Sequence, residues 1–375
     1  MESDQKQFLY PREPSRFESV HLERLLVHAQ AVQASDITIQ SDKTVMAEIF
    51  GRLFPLTRRC LTNTEVGDLL NAMYGPNGTT QIMRGIDLDT HYEIRPDRNT
   101  RHRYRVNGTG CFVDGQEGIQ ITIRTIPSSP PDLAALDLPS GIVSACMPKD
   151  GVVYVTGATG SGKSTLLAAI IKELVRQPDS HRKILTYEAP IEFVYDDVVM
   201  PSAIVSQSEI PRHLPSFAAG VRNALRRKPH GILVGESRDP ETISAVLEAA
   251  LTGHPCWTTL HSNGVAETVR RLVGSFPSEE RSGRLIDIIE TMRLVIWQQL
   301  VPDTEGKRVA LREYLQFDES IRDTLLAADP AQLTAVTRQL VHTHGQPMSV
   351  DLDIQYAAGR ISERTYRVFQ SSIAS

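Results

Sequence analysis

GATGSGKS, Gly157 to Ser164, follows the apolar run VVYVT, Val152 to Thr156, and opens the helix-patterned stretch STLLAAIIKELV. A strand, a glycine-rich turn and a helix N-terminus in that order make a P-loop, which cradles the phosphates of a nucleotide. Gly157, Gly160 and Gly162 let the backbone take positive φ and bring successive N–H groups against anionic oxygens. Lys163 supplies a flexible point charge for the β- and γ-phosphates, and the Ser164 hydroxyl can sit on a Mg²⁺ ion bridging them. The expected nucleotide-binding run is therefore Gly157, Ala158, Thr159, Gly160, Ser161, Gly162, Lys163, Ser164 and Thr165.

On either side of this motif the pattern differs. From Gly151 onward, strands VVYVT, KILTYEA, GILVGE and WTTLHS alternate with helices, among them SFAAGVRNALRRK, which predicts an α/β domain with a mostly parallel sheet covered on both faces. After about Arg281 the chain reads as helical, through RLIDIIETMRLVIWQQL and later DLDIQYAAG and ISERTYRVFQ. Before the motif, residues 1–16 read as a poorly ordered arm, and Val20, Leu22, Leu25, Leu26 and Ala29 share a helical face. DITIQS, VMAEIFG, RLFPLT, THYEIRP, RHRYRVNGTGCFVD and IQITIRTIP then read as strands, with a helix around Glu65 to Met73, giving a small α+β domain over 17–126. Pro127 to Ser140, rich in Pro and Ser, interrupts both periodicities as an interdomain linker would, leaving 141–375 as the second domain.

Composition narrows the function classes. The chain has 375 residues, enough for two cores, and a net charge of -5 gives no whole-chain case for nucleic acid or anionic membrane. Four cysteines far apart, with no CxxC pair, speak against a zinc cluster or disulfide framework and for reduced thiols in a cytoplasmic protein. The polar N-terminus and the lack of any run of 18 apolar residues indicate neither signal peptide nor membrane span, so membrane contact requires a partner. No NKxD tetrapeptide occurs, which disfavours a GTPase.

Carboxylates and histidines follow the P-loop at suggestive places. Glu236 ends the run ILVGE, where a neighbouring strand would present it beside the phosphates to order Mg²⁺ through water. Glu188 and Glu192 flank a proline in LTYEAPIEF, and one of them suits a general base because an ionised carboxylate only accepts hydrogen bonds. TGHPCWTTLHS carries His254 and His261, whose imidazoles could donate to a phosphate oxygen.

Taken in order, the P-loop, YEAPIEF, LVGESRD and GHPCWTTLH resemble the Walker A, Asp, Walker B and His boxes of the secretion ATPases, the superfamily of pilus motors and type IV secretion ATPases. ASDITI, RYRVN and IRTIP resemble the N-terminal domain of its PilT-like branch, and length and detail are most similar to the ATPases of type IVB (Dot/Icm) secretion and of conjugation. The resemblance implies a RecA-like ATPase domain preceded by a smaller PAS-like α+β domain, with ATP and Mg²⁺ bound. It also implies a homo-oligomeric ring, a hexamer as in the family, on the cytoplasmic face of inner-membrane secretion or conjugation machinery, with no direct nucleic-acid binding. It makes Glu192 the water-activating residue, Glu236 the Walker B carboxylate, His254 and His261 the His-box pair, and Glu188 secondary. Ala189 stands where the family usually has Asp, which shifts weight onto Glu192. Among the arginines of RPDRNTRHRYR and the following strand, Arg103, Arg105 and Arg124 are the candidates for reaching a nucleotide across a subunit boundary.

Overall fold

The computed structural model describes residues 8–98, 100–126 and 129–374. It divides into two compact units, one of residues 1–128 with 189–194 and one of 129–188 with 195–375.

The first unit is built on a six-stranded antiparallel sheet in the order β3-β2-β1-β6-β5-β4. Its strands are β1 (Ala34–Gln40), β2 (Met46–Ile49), β3 (Arg52–Pro55), β4 (Leu88–Ile94), β5 (His102–Val113) and β6 (Gln116–Ile126). The helices are α1 (Ser19–Ala31), α2 (Asn63–Tyr74) and the single turn α3 (Gly78–Ile82). Alternation along the strands aims Ile37, Ile39, Ile119, Ile121 and Ile123 into one core. Leu22, Leu25 and Leu26 of α1 and Val66, Leu69 and Leu70 of α2 complete that core, as period-2 and period-3.6 patterns allow.

The arm expected over 1–16 is anchored from Phe8 onward, while 1–7 lie outside the described residues. Phe8 packs on Phe54, Tyr10 is buried with its N–H on the Leu56 carbonyl at 2.8 Å, and Glu13 accepts from the N–H groups of Arg58 and Arg59. Aromatic burial outweighs the disordering effect of the prolines and charges.

Of the expected linker, Pro127 and Ser128 lie outside the described residues, and the rest packs into the second unit. Leu133–Leu136 forms a 3₁₀ turn with Leu133 buried against the core of that unit. After the short helix α4 (Ser140–Val143), strands and helices alternate: β7 (Gly151–Thr156), α5 (Lys163–Arg176), β8 (Lys183–Glu188), β9 (Ile204–Glu209), α6 (Phe217–Ala224), β10 (Gly231–Val234), α7 (Pro240–Leu251), β11 (Pro255–Leu260), α8 (Val265–Gly274) and α9 (Arg281–Thr291). Strands β12 (Met292–Pro302) and β13 (Arg308–Gln316) follow, then α10 (Glu319–Leu326), α11 (Leu333–His344), α12 (Met348–Ala357) and α13 (Glu363–Ala374). The seven-stranded sheet runs β13-β12-β7-β11-β10-β8-β9, with only β12 and β13 antiparallel. Val153 and Val155 face α5, and Val152 and Tyr154 face the core that takes in α6 to α9, so β7 is buried throughout.

RLIDIIETMRLVIWQQL is not helical throughout: α9 stops at Thr291, and MRLVIWQQLVP is strand β12, parallel to β7 with Leu294 opposite Val153 and Ile296 opposite Val155. A short run buried on both faces carries no period that separates helix from central strand. Here the β-branched Val295 and Ile296 fit a strand filling the place beside β7.

Candidate active site

The loop between β7 and α5 has the backbone its glycines predict. Gly157, Gly160 and Gly162 have φ of 141°, 77° and 85°. Side chains are excluded at two of them: a Cβ at Gly157 would lie 2.3 Å from the Gln298 carbonyl oxygen, and one at Gly162 would lie 2.8 Å from Gln298 Nε2. Lys163 is nearly buried, and its Nζ donates to the carbonyls of Gly157 at 2.9 Å and Ala158 at 2.8 Å. Ser164 is exposed in the first turn of α5, and Ser161 Oγ is a buried hydroxyl without a partner among the described residues.

Parallel register brings the next groups to the same end of the sheet. β11 lies between β7 and β10, and loops leaving the carboxyl ends of such strands form the ligand crevice of open α/β sheets. Glu236 follows β10, His261 follows β11, and His261 Nε2 lies 3.5 Å from Glu236 Oε1. Arg238 is 3.9 Å from the other carboxylate oxygen. The backbone around Glu236 is stitched to β11: Thr259 Oγ1 donates to the Gly235 carbonyl at 2.6 Å, and the Ser237 N–H donates to the Thr259 carbonyl at 3.0 Å. A cavity of about 740 Å³ opens here, lined by Gly157, Ala158, His261, Ser262, Arg270 and Arg271 among others.

His254 does not join this group. It precedes β11, whose first residue, Pro255, pairs with Gly151 at the start of β7, and its Nδ1 lies 3.2 Å from the Ala249 carbonyl and from Thr252 Oγ1. Six strand residues separate the two histidines, which puts them about 23 Å apart at roughly 3.3 Å per residue step.

The acidic box is divided between the two units. Glu188 ends β8 in the second unit, where its Oε1 accepts from Thr186 Oγ1 at 2.6 Å and Gln207 Nε2 at 3.0 Å. Residues 189–194, including Glu192, belong to the first unit. There the buried Arg103 guanidinium donates to the carbonyls of Ile191 at 2.7 Å and Glu192 at 2.6 Å. Arg105 pairs with Asp89 of β4, and Arg124 with Asp36 of β1 at 2.7 Å, both on the exposed sheet surface.

Mg²⁺ fits the donor set. It prefers hard oxygen ligands and keeps several waters, so one hydroxyl, substrate phosphates and a water-bridged carboxylate suffice. Ser164 and Glu236 would supply that chemistry, and no cluster of three or more metal-ligating side chains exists among the described residues. A further cavity of about 160 Å³ adjoins the other end of the loop, lined by Leu136, Asp137, Gly162, Thr165, Leu300 and Arg308 among others.

Residues 118–347 match the family described as type II/IV secretion system protein. The chain belongs to that family. With its similarities to DotB and PilT, this makes it an ATP hydrolase of the PilT-like secretion ATPases. The crystal structure of the ATPase DotB from Legionella pneumophila is similar over 97% of this chain and 99% of that one, with a TM-score of 0.91 and 60% identity. The pilus retraction motor PilT with bound ADP superimposes over 92% of this chain and 95% of its own, with a TM-score of 0.78 and 29% identity. The Escherichia coli K12 protein YggR is 42% identical over 206 residues, which cover 55% of this chain and 62% of YggR.

Sequence reading missed Gln298, Arg312 and the Arg270 and Arg271 pair. Gln298 lies opposite Arg312 across the antiparallel β12 and β13, a pairing hidden while β12 reads as helix. VRRLV carries a visible double arginine, but nothing in the sequence places it at the mouth of the P-loop.

Proposed function

We propose that this chain hydrolyses ATP within a homo-oligomeric ring, a hexamer, to power protein secretion of the type IVB (Dot/Icm) kind or conjugative transfer from the cytoplasmic face of the inner membrane. The observation that carries the chemistry is the convergence of Lys163, Glu236 and His261 at the carboxyl ends of β7, β10 and β11. The choice of machine is supported by the likeness to DotB over nearly all of both chains. A pilus motor is the second reading, favoured by the PilT likeness.

In this reading the triphosphate lies along Gly157 to Thr165, with the sugar and base directed to the 160 Å³ cavity beyond Gly162 and Thr165. Lys163 leaves the Gly157 and Ala158 carbonyls for the more strongly accepting phosphate oxygens. Mg²⁺, held by Ser164 and through water by Glu236, would neutralise charge on the β- and γ-phosphates. His261 reports the γ-phosphate to the chain after β11, and Glu192, its backbone held by Arg103, orients the attacking water. None of the described helices is long and apolar enough to cross a membrane, so recruitment to the membrane falls to partners.

Lys163→Ala is expected to abolish hydrolysis, because the cation that balances the phosphate charge is removed; near-wild-type turnover in a phosphate-release assay would refute the site. Co-purification from native membranes separates the machines. Coupling-complex proteins retained by the tagged chain support secretion, and pilus base proteins retained instead support the second reading.

A further inference from the structure

Gln298 and Arg312 form a buried polar pair beneath the P-loop. Gln298 is 3% exposed on β12, and Arg312 is 4% exposed on β13. Gln298 Nε2 donates to the Ser161 carbonyl at 2.6 Å, and its Oε1 accepts from Arg312 Nε at 2.9 Å. The orientation of that amide is dictated by chemistry. A guanidinium has donors only, so the amide oxygen must face Arg312 and the NH₂ must face the loop. Arg312 in turn donates to the carbonyls of Leu136 at 2.8 Å and Asp137 at 3.3 Å, while its own backbone N–H donates to Asp351 Oδ2 of α12 at 2.7 Å.

We propose that this pair is a template that holds the P-loop in its phosphate-binding shape, with Gln298 the positioning residue and Arg312 its support. The loop is wrapped on Gln298 at both ends, since a Cβ at Gly157 would strike its carbonyl and one at Gly162 its amide. In a trans peptide the C=O and the following N–H point in opposite directions. Pinning the Ser161 carbonyl to Gln298 therefore turns the Gly162 N–H away from β12, where it can meet an anion. The same network lines the 160 Å³ cavity, through Gln298, Arg312, Leu136 and Asp137, so its geometry bears on both ends of the bound nucleotide. This inference deepens the proposed function and rests on the reading that the loop holds ATP.

Gln298→Glu tests it. The carboxylate retains, and strengthens, the contact with Arg312, but it cannot donate to the Ser161 carbonyl and repels it. Thermal melting is expected to stay near wild type, while calorimetric titration with ATP and with ADP gives affinities roughly tenfold weaker or worse. KM for ATP should rise with kcat changed much less, as for loss of binding shared by ground and transition states. Arg312→Lys is the second variant: it keeps the charge but not the planar fork, and is expected to weaken both nucleotides in the same direction. Lys163→Ala runs in parallel. Wild-type affinity in Gln298→Glu or Arg312→Lys, alongside lost affinity in Lys163→Ala, overturns the template. Wild-type affinity in all three overturns the nucleotide-site reading beneath it.

Discussion

Glu192 and Glu188 stand four residues apart and are held in opposite ways. The Glu188 carboxylate is tied by Thr186 and Gln207 to the edge of its own sheet, which fixes it as an acceptor already in use. Glu192 is held through its backbone by Arg103, which leaves the orientation of the loop determined independently of the carboxylate. A base needs that arrangement, because its oxygen must remain available to a water. Glu192→Gln is therefore expected to bind ATP but to hydrolyse it roughly a hundredfold more slowly or worse. Glu188→Gln should be the milder change, since an amide oxygen still accepts from Thr186 and Gln207. Single-turnover assays on both variants check the order; a severe Glu188→Gln with a mild Glu192→Gln would reverse the assignment.

Among the elements, the N-terminus of α2 concentrates a measurable amount of stability in one side chain. Glu65 closes a capping box with Thr62, accepts from the Phe17 N–H at 2.7 Å, and takes a two-pronged contact from Arg59 at 2.5 and 3.1 Å. Burial alone pushes this carboxyl up, but the Arg59, Phe17 and Thr62 hydrogen bonds outweigh it and hold the group at about 2 against an ordinary 4.5. A folded-state value below the unfolded one means stability that is complete above the unfolded value and lost as pH falls toward the folded one. The displacement corresponds to about 3 kcal/mol. Melting followed from pH 6 to pH 2 should show the first unit losing this contribution between about 4.5 and 2, and Glu65→Gln should flatten that part of the profile. An unchanged profile in the variant would remove Glu65 from the account. α2, expected around Glu65 to Met73, and β7 running into the glycines were legible in the sequence. The sequence pattern ends a strand on Glu236 and runs another through His261, whereas both residues lie just past their strands, β10 and β11. β12 was not legible, because burial on both faces erases the period, and with it went the Gln298 and Arg312 pair. The two His-box histidines looked equivalent until the strand between them put His254 at the other end of the sheet.

For the whole molecule, each site is completed either by one chain or by two, and the arginines of the first unit distinguish the two arrangements. Arg105 and Arg124 are 42% and 65% exposed, and their ion pairs are with carboxylates on neighbouring strands, Asp89 and Asp36; Arg105 also lies within the field of the Glu192 carboxylate. Exposed pairs of this kind are worth about 0 to 1 kcal/mol, so either arginine can exchange its partner for a phosphate at little cost. Arg103, buried on the Ile191 and Glu192 carbonyls, cannot be released so cheaply. If the ring is assembled so that Arg105 serves a neighbouring subunit, Arg105→Ala should lower kcat far more than ATP affinity without dissociating the ring. Mixing inactive Arg105→Ala subunits with inactive Glu192→Gln subunits should then restore hydrolysis, because some interfaces unite an intact glutamate with an intact arginine. Subunit exchange has to be shown directly, by energy transfer between labelled rings. With exchange present, absence of recovery for both Arg105→Ala and Arg124→Ala would place each complete site within one chain and leave these arginines as a solvated face of the first unit.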